Sequence, residues 1–171
     1  AACEGAVLVV DATQGVEAQT VSNAMLAMNA NLDIVPAINK IDLPSARPEE
    51  VRAEIEDVLA IPADDAVCVS GKTGEGIHEL LEALVYLVSP PKGDPTAPLK
   101  ALILDSYFDQ FRGVVATVRI FDGSIKAGDQ LLMMQGSMPF LVEEVGAKRP
   151  LEMAVDQLSV GEVGYVVTGL K

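Results

Sequence analysis

The feature that most constrains the fold is the stretch Ser89-Pro90-Pro91-Lys92-Gly93-Asp94-Pro95, with three prolines in seven residues. Proline lacks a backbone N–H, so the stretch continues neither a helix nor a central strand. The hydrophobic periodicity also differs on its two sides. The sequence therefore predicts a domain over residues 1–88, a linker over 89–98 and a second domain over 99–171.

Before the linker, continuous apolar runs alternate with segments of helical periodicity. This alternation is typical of a parallel sheet with right-handed helical crossovers, so we predict an α/β domain. The predicted strands are Ala6–Val10, Ile34–Ile38 and Ala66–Ser70, and the predicted helices are Val16–Ala30, one beginning at Pro48, and Ile77–Val88. The first of these helices is expected to cover the sheet through Val21, Met25, Leu26 and Met28. The third is expected to do so through Leu80, Leu81, Leu84, Leu87 and Val88.

After the linker, short apolar runs are separated by Gly-containing turns, which favours a small antiparallel barrel. We expect Tyr107, Phe108 and Phe111 to pack in its core or along an edge. The last predicted strand runs to the end of the chain, so we also expect the barrel to be incomplete. The predicted strands are Leu99–Asp105, Val114–Phe121, Gln130–Met134, Phe140–Val145 and Val163–Leu170.

Charge excludes one class of function for the first domain. Residues 1–88 carry 15 acids and 4 bases, whereas residues 89–171 carry 10 acids and 8 bases. An acidic surface gives no broad contact to phosphate backbones, so DNA is not an expected partner. Cys3 and Cys68 match no metal spacing, and His78 sits alone in a helical pattern, so no metal site is predicted. The N-terminus has neither an initiator Met nor a basic region, and we expect that the sequence enters a longer chain partway.

The strongest candidate site is Asn39-Lys40-Ile41-Asp42, directly after a predicted buried strand. Open α/β sheets bind ligands at the carboxyl ends of their strands. Asp42 can accept hydrogen bonds from both the ring N–H and the exocyclic amine of guanine, a donor pair that adenine lacks. Asn39 can bond the other edge of the base, and the Lys40 stem can cover its face. An ordinary strand followed by a polar turn is the alternative for these four residues alone.

A second loop, Ser70-Gly71-Lys72-Thr73-Gly74, follows the third predicted strand. It resembles the Ser-Ala-Lys loop of GTP-binding domains, with Gly71 in the alanine position offering its N–H to the guanine O6. A phosphate-binding Walker loop is excluded here, because it requires glycine five residues before Gly71 and that position is Ala66.

The chain resembles the translation-factor GTPases along almost its whole length, and most closely the LepA type, also called elongation factor four. That resemblance implies a partial P-loop GTPase G domain followed by a translation-factor β-barrel. The motifs that carry it are Val9-Val10-Asp11-Ala12, Gln14-Gly15-Val16-Glu17-Ala18-Gln19-Thr20, Asn39-Lys40-Ile41-Asp42, the proline-rich linker, Asp105-Ser106-Tyr107, Arg112-Gly113-Val114-Val115 and Gly161-Glu162-Val163-Gly164-Tyr165.

The resemblance implies a cytoplasmic GTPase that uses GTP and Mg²⁺, acts on the ribosome (its rRNA and proteins), repositions tRNAs and associates peripherally with the inner membrane. In the family, the catalytic residues and Mg²⁺ ligands lie upstream of the position matching Ala1. The guanine-binding residues carried over are Asn39, Lys40, Asp42, Ser70, Gly71 and Lys72. Two alternatives stay open: a factor G relative, and a non-enzymatic module that binds a ribosomal or protein partner through the barrel, with Arg112 and Arg119 as candidate RNA contacts.

Overall fold

The computed structural model describes residues 2–136 and 139–170, with only the backbone of Arg149. The chain divides into two compact units, the first spanning Cys3–Pro90 and the second beginning at Pro91.

The first unit contains a parallel sheet of three strands, β1 (Gly5–Asp11), β2 (Asp33–Asn39) and β3 (Val67–Val69), in the order β1-β2-β3. Helices α1 (Ala18–Asn29), α2 (Pro48–Leu59) and α3 (Ile77–Leu87) connect and follow the strands. The register aligns the ends of all three strands, with Asp11 opposite Asn39 and Asn39 opposite Val69. The predicted order of strands and helices is confirmed, and it brings three loops to one edge of the sheet.

Helix α2 supplies most of the helical part of the core. Its Val51, Ile55 and Leu59 are buried, as the apolar stripe predicts. Pro48 begins the helix, where its missing N–H costs no hydrogen bond, and acidic residues occupy the first turn, where the helix dipole favours them. The buried side chains Val51, Ile55 and Leu59 pack with Val10 and Ile38 from the sheet.

The predicted inward faces of the other two helices are wrong in part. Only Ala24 is buried on α1, while Met25 and Leu26 are 58% and 68% exposed. No residue of α3 is buried, and Leu81 and Leu87 are about half exposed. The reason is the width of the sheet. The two outer strands of a three-stranded sheet lie only about 10 Å apart, and a sheet that narrow does not cover the apolar face of every helix.

The second unit is antiparallel throughout its described strands. Its main sheet has the order β10-β9-β12-β5-β4, and two strand pairs, β11-β6 and β7-β8, accompany it. This arrangement confirms the predicted antiparallel class of the second domain. The strands are β4 (Lys100–Asp109), β5 (Gly113–Asp122), β6 (Ser124–Lys126), β7 (Gln130–Leu132), β8 (Pro139–Leu141), β9 (Glu144–Arg149), β10 (Leu151–Ala154), β11 (Gln157–Ser159) and β12 (Val163–Val167).

Several details of the second unit differ from prediction. The segment predicted as one strand over Phe140–Val145 belongs to two strands, β8 and β9, and strands β6, β10 and β11 were not predicted. Phe108 and Phe111 were expected to pack in the core or along an edge, and their exposed fractions of 62% and 93% exclude the core. Phe108 lies on β4, the outermost strand of the main sheet among the described strands, so its edge position agrees with that expectation.

Tyr165 is the largest fully buried side chain of the second unit. Its ring packs with Val115 and Val167, and its hydroxyl donates a 2.7 Å hydrogen bond to Glu144 Oε1. Burial, followed by this bond to a carboxylate, raises the pKa of Tyr165 to about 12. The folded unit therefore favours the neutral phenol more strongly than the unfolded chain does.

Stability should fall as the pH rises from about 10 to 12, because in this range the unfolded phenol (pKa about 10) releases its proton before the folded one does. The Tyr165 contribution to that loss should be about 2 kcal/mol by pH 12. Urea denaturation at several pH values should show a flatter pH dependence for Tyr165→Phe than for wild type. Tyr86→Phe removes a hydroxyl from a side chain that is 88% exposed and should leave the slope unchanged. Equal slopes for wild type and Tyr165→Phe would contradict the prediction.

Candidate functional site

The carboxyl ends of β1, β2 and β3 bring Asp11, Asn39 and Ser70 to one edge of the sheet. Backbone hydrogen bonds join the loops that follow. Ala12 N donates to Asn39 O at 2.8 Å, and Ile41 N donates to Val69 O at 3.3 Å. The loops after neighbouring strands are thus held together where parallel sheets bind ligands.

Asn39 connects the two predicted base-binding loops through its side chain. Its Oδ1 accepts a 3.0 Å hydrogen bond from the backbone N–H of Gly71. The Gly71 N–H, predicted to meet a base, is therefore used within the chain in this structure. Lys72 lies exposed beside it, and no ion pair to it occurs among the described residues.

Asp42 is fixed by a buried hydroxyl. Ser70 is fully buried, and its Oγ donates a 2.7 Å hydrogen bond to Asp42 Oδ1. The same Oγ accepts from Thr73 N at 3.1 Å, so the hydroxyl is both donor and acceptor and its orientation is fixed from two sides. Within residues 2–136 and 139–170, hydrogen bonds reach Asp42 only at Oδ1. A carboxylate has about four acceptor positions, so Asp42 retains capacity for two further donors.

Lys40 has an unusual backbone and a close partner. Its φ is +68°, in the left-handed region that non-glycine residues adopt infrequently. Its Nζ lies 2.6 Å from Asp11 Oδ2. The hydrogen bond from Lys40 and those from Thr13 hold the pKa of Asp11 well below its usual range. Asp11 was not assigned to the site from the sequence, although its position at the end of the first apolar run was a usable signal.

Glycine conformation shapes the loop around Ser70. Gly76, directly before α3, has a φ of +72°, and a Cβ built on it would lie 2.0 Å from the carbonyl oxygen of Cys68. Gly71 differs, because a Cβ there would meet Asn39 Oδ1 at 3.7 Å, an ordinary contact distance. An alanine therefore fits at Gly71 but not at Gly76.

The two arginines considered as RNA contacts are both engaged elsewhere. Arg112 Nη2 lies 2.8 Å from Glu152 Oε2, and its backbone N–H donates to Asp109. Arg119 is only 6% exposed, with its guanidinium 4.8 Å from the centre of the Phe121 ring. Burial makes Arg119 unsuitable as a contact for RNA.

No group of three or more His, Cys, Asp or Glu residues in the described part of the chain could hold a metal ion. None of the described helices is long and apolar enough to cross a bilayer.

A parallel sheet with paired Asn-Lys-x-Asp and Ser-Gly-Lys loops at its carboxyl edge, followed by an antiparallel β unit, defines the class of translation-factor GTPases. Residues 1–90 match the family model of the elongation factor Tu GTP binding domain, and the chain belongs to that family. The predicted family resemblance and fold class are thereby confirmed.

Among curated relatives, the chain is similar to proteins named elongation factor 4. The protein from Staphylococcus saprophyticus is 52% identical and that from Staphylococcus carnosus 53% identical, each over 171 residues. In both comparisons the match covers 100% of this chain and 28% of the relative, so the chain spans a little over a quarter of their length.

A solved structure supports the fold alone. The apo form of translation elongation factor SelB from Methanococcus maripaludis matches with a TM-score of 0.75 at 21% identity. The match covers 96% of this chain and 36% of that one.

Proposed function

We propose that this chain carries the guanine-binding loops and the following barrel of an elongation factor 4-type translational GTPase. The guanine-binding residues are Asn39, Lys40, Asp42, Ser70, Gly71 and Lys72. The proposal rests on the state of the Asp42 carboxylate. The buried Ser70 hydroxyl holds it at 2.7 Å, and it retains acceptor capacity for two further donors.

The chemistry of the donor set fits guanine. Its N1–H and exocyclic amine form two adjacent donors that a carboxylate can accept together, whereas adenine offers no such pair. The Asn39 side chain is held by the Gly71 N–H, and the Lys40 stem supplies an apolar cover for the ring face. Gly71 and Lys72 complete the rim of the site.

The described residues supply base specificity rather than phosphate chemistry. Charge-assisted hydrogen bonds contribute about 1.5–3 kcal/mol each, so two to Asp42 contribute roughly 3–6 kcal/mol. Association costs an estimated 4–15 kcal/mol, so base contacts alone give little net affinity. Phosphoryl transfer also requires positioned Mg²⁺ and a phosphate-binding loop. We propose that other parts of the intact protein supply both.

For the intact protein, we propose GTP hydrolysis on the ribosome, with GDP as product and tRNA repositioning as the outcome. A translation factor acts in the cytoplasm, and we propose that location here. Peripheral attachment to the inner membrane rests only on the resemblance and stays a prediction.

The joint between the two domains is proposed to lie within residues 89–98. The boundary between the two compact units falls at Pro90 and Pro91. Beyond it, Asp94 belongs to the second unit: its N–H donates to Asp122 Oδ1 at 2.9 Å, and its carbonyl accepts from Gly123 N at 2.9 Å. The part of the linker before Asp94 is therefore the better candidate for the joint.

Competition binding tests the proposed function. In the full-length protein, GTP and GDP should displace a fluorescent guanine nucleotide at least about 100-fold more effectively than ATP and ADP, because adenine offers no donor pair to the free acceptor positions of Asp42. The 171-residue chain alone should bind GTP weakly and not hydrolyse it. Equal competition by adenine nucleotides would contradict the guanine site. Hydrolysis by the isolated chain that is insensitive to Asp42→Asn would contradict both the site and the division of roles.

A further inference from the structure

The ion pair between Lys40 and Asp11 lies at the same sheet edge as the proposed guanine site. Asp11 ends β1 and pairs in register with Asn39, the residue before Lys40. The carboxylate divides its two oxygens between two partners. Oδ1 accepts from the backbone N–H and the hydroxyl of Thr13, at 2.8 and 2.7 Å, and Oδ2 lies 2.6 Å from Lys40 Nζ.

The two members of the pair differ in how firmly the fold holds them. The Asp11 side chain is 15% exposed and is fixed by its bonds to Thr13, whereas the Lys40 side chain is 52% exposed. A lysine has four rotatable side-chain bonds, so an exposed one samples many conformations unless a partner holds its ammonium group. Asp11 is the fixed member and Lys40 is the member whose position the pair determines.

No other described carboxylate holds Lys40 at short distance. Asp42, two residues away, is engaged by Ser70, and Glu17 influences Lys40 only through a longer-range interaction. The left-handed backbone of Lys40 sets where its side chain starts, and Asp11 sets where it ends. Together they fix the course of the apolar stem between the two points.

We propose that Asp11 is a positioning residue for nucleotide binding: it holds the Lys40 ammonium so that the lysine stem lies ready to cover the face of the guanine ring. The inference rests on the proposed guanine-binding function. Preorganisation of this kind raises affinity because less side-chain freedom is lost on binding. It acts on the face of the ring, so it is independent of the edge recognition that Asp42 provides.

This division of roles gives distinct expected results in the full-length protein. Asp11→Asn retains the acceptor for Thr13 but loses the charge, and GDP affinity should fall about fivefold, the range of a partly exposed ion pair. The preference for guanine over xanthine and adenine nucleotides should stay as in wild type. The loss should appear mainly as faster GDP dissociation.

A double-mutant cycle separates positioning from general support of the fold. Lys40→Met keeps an apolar stem and has no ammonium, so Asp11→Asn should cause no further loss of GDP affinity in that background. Asp57→Asn is the matched control, since it removes the same charge from an exposed position on α2. If Asp11→Asn fails to fold, Asp11→Glu keeps the charge and moves the oxygens by one methylene, and its loss should likewise vanish in the Lys40→Met background.

Three outcomes are informative. A loss of GDP affinity that depends on Lys40 supports the positioning role. No loss, or an equal loss with and without the Lys40 ammonium, overturns it while leaving the guanine site standing, provided that wild type still selects guanine. If wild type shows no selection for guanine nucleotides, the proposed function fails first and the positioning role falls with it.

Discussion

Replacing Asp42 with asparagine in the full-length protein is expected to change its base preference from guanine to xanthine. The amide keeps one acceptor but turns the other into a donor that faces the exocyclic amine of guanine. Xanthine has a carbonyl at that position, which the new donor can bond. We expect guanine nucleotide affinity to fall at least about 100-fold, near the roughly 3 kcal/mol lower bound for two charge-assisted hydrogen bonds. Competition between GDP and XDP for a fluorescent nucleotide measures the change.

Ser70 makes this prediction sharper. Its hydroxyl is oriented by Thr73 and donates to Asp42 Oδ1, so an asparagine should place its carbonyl oxygen toward Ser70 and its NH₂ at the other position. Asp57→Asn on exposed α2 controls for the change in net charge. An Asp42→Asn protein that still prefers GDP over XDP would rule out Asp42 as the residue that recognises the base edge.

The first unit was largely predictable because its local signals agree with one another. Pro48 marks the start of α2, and its Val51, Ile55 and Leu59 stripe is buried as the period requires. The apolar runs ending near Asp11 and Asn39 became parallel strands whose ends align. The alternation of strands and helices along the sequence was enough to predict that the candidate site lies at the carboxyl edge of the sheet.

The missed features depend on tertiary contacts that a local pattern does not contain. Strands β6 and β11 have three residues each, with one buried side chain apiece, Ile125 and Leu158, so no alternation can be recognised over their length. The exposed face of α3 was misassigned because an amphipathic pattern shows which face is apolar and not whether the sheet is wide enough to cover it. The pair of Asp11 and Lys40 was missed because their contact arises from the strand register.

Replacing Gly76 with alanine is expected to have the largest effect on stability. A Cβ at Gly76 would lie 2.0 Å from Cys68 O and 3.2 Å from Val69 Cα, and both are backbone atoms of β3. A left-handed alanine also costs roughly 1–2 kcal/mol by itself. We expect a loss of about 3 kcal/mol or more, because relief of the clash requires the strand or the start of α3 to move.

Two neighbouring glycines provide a graded control for Gly76→Ala. Gly74 has a φ of +87° but no atom within 4 Å of its Cβ position, so Gly74→Ala should cost only the roughly 1–2 kcal/mol of a left-handed residue. Gly71 is not in the left-handed region and has room for a methyl group, so Gly71→Ala should lie within about 0.5 kcal/mol of wild type or be more stable, since alanine restricts the unfolded chain. Urea denaturation of the three variants should rank them in that order.

The same series tests how the fold controls the candidate site. Ser70 directly follows β3, so a displacement of that strand by Gly76→Ala should move the hydroxyl that fixes Asp42. Guanine nucleotide affinity of the folded full-length protein should therefore fall for Gly76→Ala and stay near wild type for Gly71→Ala. If Gly71→Ala abolished nucleotide binding while Gly76→Ala retained it, the claim that binding depends on the hydrogen bond between Ser70 and Asp42 would be contradicted. If the variants follow the expected order, the correct position of the Asp42 carboxylate depends on the close approach of α3 to β3 that Gly76 allows.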